Sequence, residues 1–216
     1  MKKITVFIRN GETAVKLQSP LILTAVSKLY VKTVALFWTY ENIRKGDNNY
    51  FSVDGKKVML KKGYWTFKQL RQALESHGLV VEDFPDGRIQ IGFAKKVKSF
   101  NPWKLNNLLG FTDAFSSTHP SQRPVDIHEG LRYVTVGCNL VDRSQNIGPD
   151  GFPSNIISSL PIDGTKPLFG TTTKYNDIES EVFADAGIYH ELHFDVKSNI
   201  VGIVPCDVLM DLYILK

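Results

Sequence analysis

Two histidines flank an acid in His190-Glu191-Leu192-His193, the segment whose residue types come nearest to a metal-ligand motif. A metalloprotease helix needs its histidines four apart, so that one face presents both to zinc. Here they stand three apart in a run that reads as a strand, where that spacing sends them to opposite faces. Glu191 and His193 then share a face and can pair across solvent. Nucleophilic chemistry has two candidates, Cys138 and Cys206, with His128 as a conceivable base for the first. Neither cysteine stands at a strand–helix elbow or a helix N-terminus, where a thiolate would be stabilised. Each lies in a largely apolar run and reads as a small buried hydrophobe, with a single disulfide the most the pair could form. His119 and His128 fall in or beside a polar loop and read as solvated. The sequence contains no P-loop, G-x-G-x-x-G, C-x-x-C or G-x-S-x-G, and Gly148-Pro149-Asp150-Gly151 offers too few oxygens for calcium. The expectation is a protein that is not an enzyme and carries no metal or cofactor.

The elements around these residues come from an ordinary globular composition. Of 216 residues, 43% are hydrophobic and 22% charged, which excludes a disordered chain, a coiled coil and a collagen-like repeat. A chain of this length buries about 70% of its unfolded surface without a metal or disulfide staple. Thirteen Phe, eight Tyr and three Trp lean towards β structure. No apolar run is long enough to span a bilayer. The five-residue, mostly apolar run before Arg9 is too short for a secretory leader, so folding in a reducing interior is expected.

Charge is distributed unevenly. Residues 1–108 hold 19 Lys and Arg against 8 Asp and Glu, net +11, whereas residues 109–216 hold 7 against 14, net −7. The lysines cluster as Lys56-Lys57, Lys61-Lys62, and Lys95-Lys96 with Lys98, several of them beside the turn residues Asp54-Gly55 and Gly63. Hairpin ends could bring them onto one basic surface facing DNA or an acidic neighbouring subunit. Lysines also keep edge strands soluble, and no arginine-rich groove interleaved with aromatics is visible.

Short strand-like runs dominate. They include residues 4–8, 31–40, 50–53 and 57–60 (a hairpin through Asp54-Gly55), 79–81, 88–93, 131–141, 156–160, 189–196 and 204–215. One clear helix is expected at about 66–77, with Thr66 as N-cap, Phe67, Leu70 and Leu74 on one face, and Gly78 closing it. That helix reads as a cap over one open end of a sandwich. Residues 103–109 read as one or two helical turns ended by Gly110, and 113–127, 143–153 and 163–179 as loops. Strands and helices do not alternate, so a parallel sheet is excluded. Without repeats or linkers, residues 1–216 read as a single all-β, antiparallel jelly-roll domain with one connecting helix, preceded by a possible N-terminal arm at 1–19. Trp38, Tyr40, Trp65 and Trp103 are candidates for core or subunit contacts.

An ordered set of motifs then carries a resemblance. Tyr40-Glu41-Asn42-Ile43 follows an apolar aromatic strand and precedes Asn48-Asn49-Tyr50-Phe51. Next comes Leu60-Lys61-Lys62-Gly63-Tyr64-Trp65, which leads into the helix, and then Leu108-Leu109-Gly110-Phe111. The strand Val134-Thr135-Val136-Gly137-Cys138-Asn139-Leu140-Val141 and Val208-Leu209-Met210-Asp211-Leu212-Tyr213 complete it. Over roughly residues 20–216 the chain resembles the minor capsid, or penton, proteins of Maverick/Polinton elements, virophages and adenovirus-like viruses.

The resemblance implies a single jelly-roll subunit that forms homopentamers at the fivefold vertices of an icosahedral virion. It also implies a double jelly-roll major capsid protein around each pentamer. The chain is too short to be that partner, and it lacks the large insertion and Arg-Gly-Asp loop of the adenovirus penton base. The basic residues Lys56, Lys57, Lys61, Lys62, Lys95, Lys96 and Lys98 would face a neighbouring subunit or packaged DNA, the latter through non-specific phosphate attraction. Two other readings fit a β-rich chain: a receptor- or glycan-binding spike or fibre head, which would carry a stalk repeat, and a non-viral β-sandwich binding module.

Overall fold

A computed structural model describes residues 1–148, 151–163, 170–176, 181–200 and 203–215. In chain order its first elements are β1 (Lys2–Ile8), β2 (Glu12–Leu23), β3 (Lys28–Trp38), β4 (Tyr50–Val53), β5 (Lys56–Met59) and α1 (Phe67–Glu75). Then come β6 (Leu79–Asp83), β7 (Ile89–Phe93), β8 (Phe100–Asn101), a 3-10 turn (Trp103–Leu105) and α2 (Asn106–Leu109). The remainder is β9 (Tyr133–Cys138), β10 (Ile156–Pro161), β11 (Thr172–Asn176), β12 (Glu181–Phe183), β13 (Gly187–Ser198) and β14 (Cys206–Leu215). The chain forms two compact units, one of Met1–Tyr40 with Leu131–Lys216 and the other of Glu41–Gly130.

The first unit is a sandwich of two antiparallel sheets, ordered β1-β14-β3-β11, with β12 also on β3, and β10-β9-β13-β2. The pairing is nested: β1 with β14, β2 with β13, β3 with β11 and β9 with β10. Wrapping such a ribbon on itself brings β14 against β3 and β13 against β9. That is the jelly-roll topology.

Alternation explains why these residues become strands. Cys206, Val208, Met210, Leu212 and Ile214 are buried on β14, as are Val134, Val136 and Cys138 on β9 and Leu192, Phe194 and Val196 on β13. Each such side chain removed from water contributes about 1.5–3 kcal/mol. On β3 the alternation of Leu29 and Val31 resumes at Val34, Leu36 and Trp38 after a bulge at Lys32. The antiparallel, sandwich reading of the sequence therefore holds.

Several sequence expectations need correction. Residues 1–19 do not hang free as an arm: β1 pairs along its whole length with β14, and Val6 and Ile8 are buried. Residues 12–19 open β2, the edge strand on β13. The expected loop 163–179 contains β11, and β12 was not foreseen. Residues 164–169 and 177–179 of that loop, and 149–150 of the loop 143–153, lie outside the described residues.

The second unit has its own core of Ile43, Phe51, Leu60, Leu70, Leu74, Leu79, Ile89, Ile91, Leu105, Leu108 and Phe111 among others. Strands β5-β4-β8 form one small sheet and β6-β7 a hairpin. Helix α1 starts as expected at Thr66, whose hydroxyl accepts the Gln69 N–H while the Gln69 side chain accepts the Thr66 N–H. Its buried residues Leu70 and Leu74 belong to this unit's own core. Gly110 ends α2 at φ 80°, and a β-carbon there would overlap the Arg123 carbonyl oxygen. No helix among the described residues is long and apolar enough to cross a membrane.

Candidate basic interaction surface

All seven singled-out lysines fall in Glu41–Gly130, and all are exposed. Asp54 and Gly55, at φ 49° and 76°, make the tight turn that returns β4 into β5 and presents Lys56 and Lys57. The Asp54 carboxylate accepts the backbone N–H groups of Lys98 and Ser99, both at 2.8 Å. Those two bonds hold its carboxyl below the usual aspartate range, so it stays ionised as a fixed clamp. The clamp holds Lys98 against the hairpin tip.

Lys56, Lys57 and Lys98 therefore meet at one tip, with Lys95 and Lys96 three and two residues upstream of Lys98. Lys61 and Lys62 lie beyond the far end of β5, where Lys62 faces Glu41 at 3.9 Å and the Lys61 carbonyl accepts the Trp65 indole N–H at 2.8 Å. Among the described residues, Lys56, Lys57, Lys95, Lys96 and Lys98 have no carboxylate within ion-pair distance. The Lys57 ammonium sits 3.7 Å from the centre of the Tyr50 ring. Tyr50 in turn meets Trp103 at 5.7 Å, and Lys104 beyond it pairs with Asp47 at 2.8 Å.

Trp103 is the exposed member of the four candidate aromatics, at 48%, whereas Trp38 and Tyr40 are each 3% exposed. Trp65 is half-buried against the unit's core. Trp103 also holds a positive φ of 51°, uncommon for a bulky residue, with its N–H donated to the Asn101 side chain at 2.9 Å. Sequence reading missed this aromatic and cationic pairing, although the neighbouring Asn101-Pro102-Trp103 was a turn signal.

The remaining candidate chemistry does not assemble. His128 is 1% exposed rather than solvated, its Nε2 bonded to the Tyr64 hydroxyl at 3.2 Å. It belongs to a polar framework that also holds Asn42, Asn48, Arg44 and Glu129. His190 and His193 are both exposed, because a register shift in β13 between Tyr189 and Glu191 resets the alternation. Glu191 and His193 do share a face, at 3.4 Å. No group of three or more metal-ligand residues occurs among the described residues. Cys138 and Cys206 are free and buried, and burial pushes both thiols up to about 12.

The nested strand pairing defines the first unit as a jelly roll, and the chain from Tyr40 to Leu131 runs through a second compact unit before the roll resumes. Among solved structures, the crystal structure of the mavirus penton protein has this fold, with a TM-score of 0.52 over 99% of this chain and 98% of that one. Identity is 8%, so the likeness is one of fold. No protein-family model and no curated protein matches the sequence.

Proposed function

We propose that this chain is a structural capsid protein, the penton that forms homopentamers at the fivefold vertices of an icosahedral virion. The observation that carries the reading is the agreement of fold with a penton protein over essentially the whole of both chains. In this reading residues 1–216 act as one subunit, and a double jelly-roll major capsid protein surrounds each pentamer. The lysines at and beside the β4–β5 tip, with Lys61 and Lys62 beyond the far end of β5, supply a sequence-independent phosphate surface for packaged DNA.

Mass by light scattering on the purified protein, with negative-stain imaging of the same peak, tests the proposal. Five-membered rings whose proportion grows with concentration are expected. A stable trimer would favour the spike-head reading, and a strict monomer at high concentration a binding module.

A further inference from the structure

The two outer faces of the sandwich carry different apolar surfaces. On the β1-β14-β3-β11 sheet, Phe7, Leu209 and Ala35 stand side by side in register, with Lys174 next in the row. Phe37 lies one step along, its ring meeting Phe7 edge-on at 5.8 Å. Phe7, Phe37 and Leu209 are each more than a third exposed. The Arg9 guanidinium lies 4.8 Å from the Phe7 ring centre. Arg9, Lys32 and Lys174 have no ion-pair partner among the described residues. The three carboxylates of this face are already engaged: Asp211 by Lys3, Thr5 and Thr33, Asp207 by the Asn10 N–H, and Glu181 by Lys28. The surface is aromatic with a cationic rim.

On the β10-β9-β13-β2 sheet, Ile22 and Ile188 stand directly opposite one another, 58% and 64% exposed. Val26, in the turn that follows β2, is 75% exposed. Tyr189, next to Ile188, donates its hydroxyl to the Asp185 carbonyl at 3.0 Å, which fixes Asp185 beside the pair. The Asp185 carboxylate has no ion-pair partner among the described residues. Glu191 stands two residues beyond Tyr189, on the same outer face as His193 and directly opposite Lys16. Further along that face Asp195 pairs with Lys197 and stands opposite Glu12, so that acids outnumber bases there. This second surface is aliphatic with an acidic rim.

We propose that these faces bind one another between copies of this chain, the cationic aromatic face of one subunit against the acidic aliphatic face of the next. Three observations select a second copy as the occupant. The rims have opposite charge, so each face attracts the other and repels its own kind. Both faces expose large apolar groups that a folded monomer leaves in water. They also lie on opposite sides of one sandwich, so the contact is heterologous, running head to tail from copy to copy rather than closing on a two-fold axis, and the penton reading supplies the closure into a ring. The inference rests on the penton reading and adds to it the two surfaces that meet.

A complementation experiment tests it. Leu209→Glu disables the first face and Ile188→Lys the second, both at exposed positions whose fold is checked by circular dichroism and melting temperature. Each variant alone is expected to run as a monomer, with subunit association weakened on the order of 100-fold. An equimolar mixture is expected to give a one-to-one dimer, because each variant retains the face that the other has lost. Monomers in the mixture overturn the heterologous pairing. Variants that still form rings like the unmodified protein overturn the choice of faces and leave the penton reading standing. An unmodified protein that never forms rings overturns both.

Discussion

Asn42 ties three backbone groups with one buried side chain: it donates to the Trp65 and Ile127 carbonyls at 2.8 and 2.9 Å and accepts the Trp65 N–H at 2.7 Å. Replacing it with alanine leaves these groups without partners, and a loss of about 2–3 kcal/mol in urea denaturation is expected. Gly110→Ala combines a left-handed backbone with a carbonyl overlap and should cost about 3 kcal/mol by the same measurement. Titration gives stability two edges. An unfolded cysteine ionises near 9.0, whereas Cys138 and Cys206 keep their protons to about 12, chiefly through burial. Stability therefore falls as pH rises through that window, and a Cys138→Ala, Cys206→Ala double variant should flatten the fall. On the acid side, hydrogen bonds from Thr5, Lys3 and Thr33 outweigh burial and lower the Asp211 carboxyl, while backbone N–H groups lower that of Asp54. Both contributions are complete above the ordinary aspartate value of 3.8 and are lost only as pH falls below it.

At the scale of elements, hydrogen-bonding chemistry and burial decide how much the sequence reveals. The β4–β5 hairpin was legible because Asp54-Gly55 demands its turn, and α1 because Thr66 and Gln69 form a reciprocal cap. Strands β9 and β14 were legible because packed sheet interiors need unbroken apolar alternation. Strands β2 and β11 were missed for the converse reason. They lie at sheet margins, where one side of the ladder is unpaired and polar residues are tolerated, and β2 carries Pro20 where its register with β13 shifts. The burial of His128 was missed because its partner Tyr64 is remote in sequence. Two changes probe this level. Thr66→Ala should cost about 1 kcal/mol in thermal or chemical melting. Deleting residues 1–9 tests β1 directly: an arm would be dispensable, whereas a paired strand that buries Val6 and Ile8 is not. Loss of more than about 3 kcal/mol, or insoluble protein, is expected from its removal.

Across the whole molecule, the electrostatic contrast between sequence halves dissolves in the fold. Met1–Tyr40 with Leu131–Lys216 holds 12 basic and 12 acidic residues, while Glu41–Gly130 holds 14 and 10. Excess positive charge is thus a property of the inserted unit, and the sandwich has local patches of either sign. Binding to duplex DNA, followed by fluorescence anisotropy, should weaken with salt by about 0.9 in log K per log salt for each phosphate neutralised. Lys56→Glu, Lys57→Glu, Lys95→Glu and Lys96→Glu together should abolish it, leaving ring formation intact. The nesting of the roll also orders events in time. Tyr50 finds Met59 within a few residues, but Lys2 must wait for Ile214. On the ribosome the inserted unit can therefore fold while β1 still lacks its neighbour, and the sheet closes only when the end of β14 has emerged. The aromatic face joins Phe7, made early, to Leu209, made late. A chain that has not yet made β14 has no such face, so on the proposed reading the synthesis of β14 is what permits assembly.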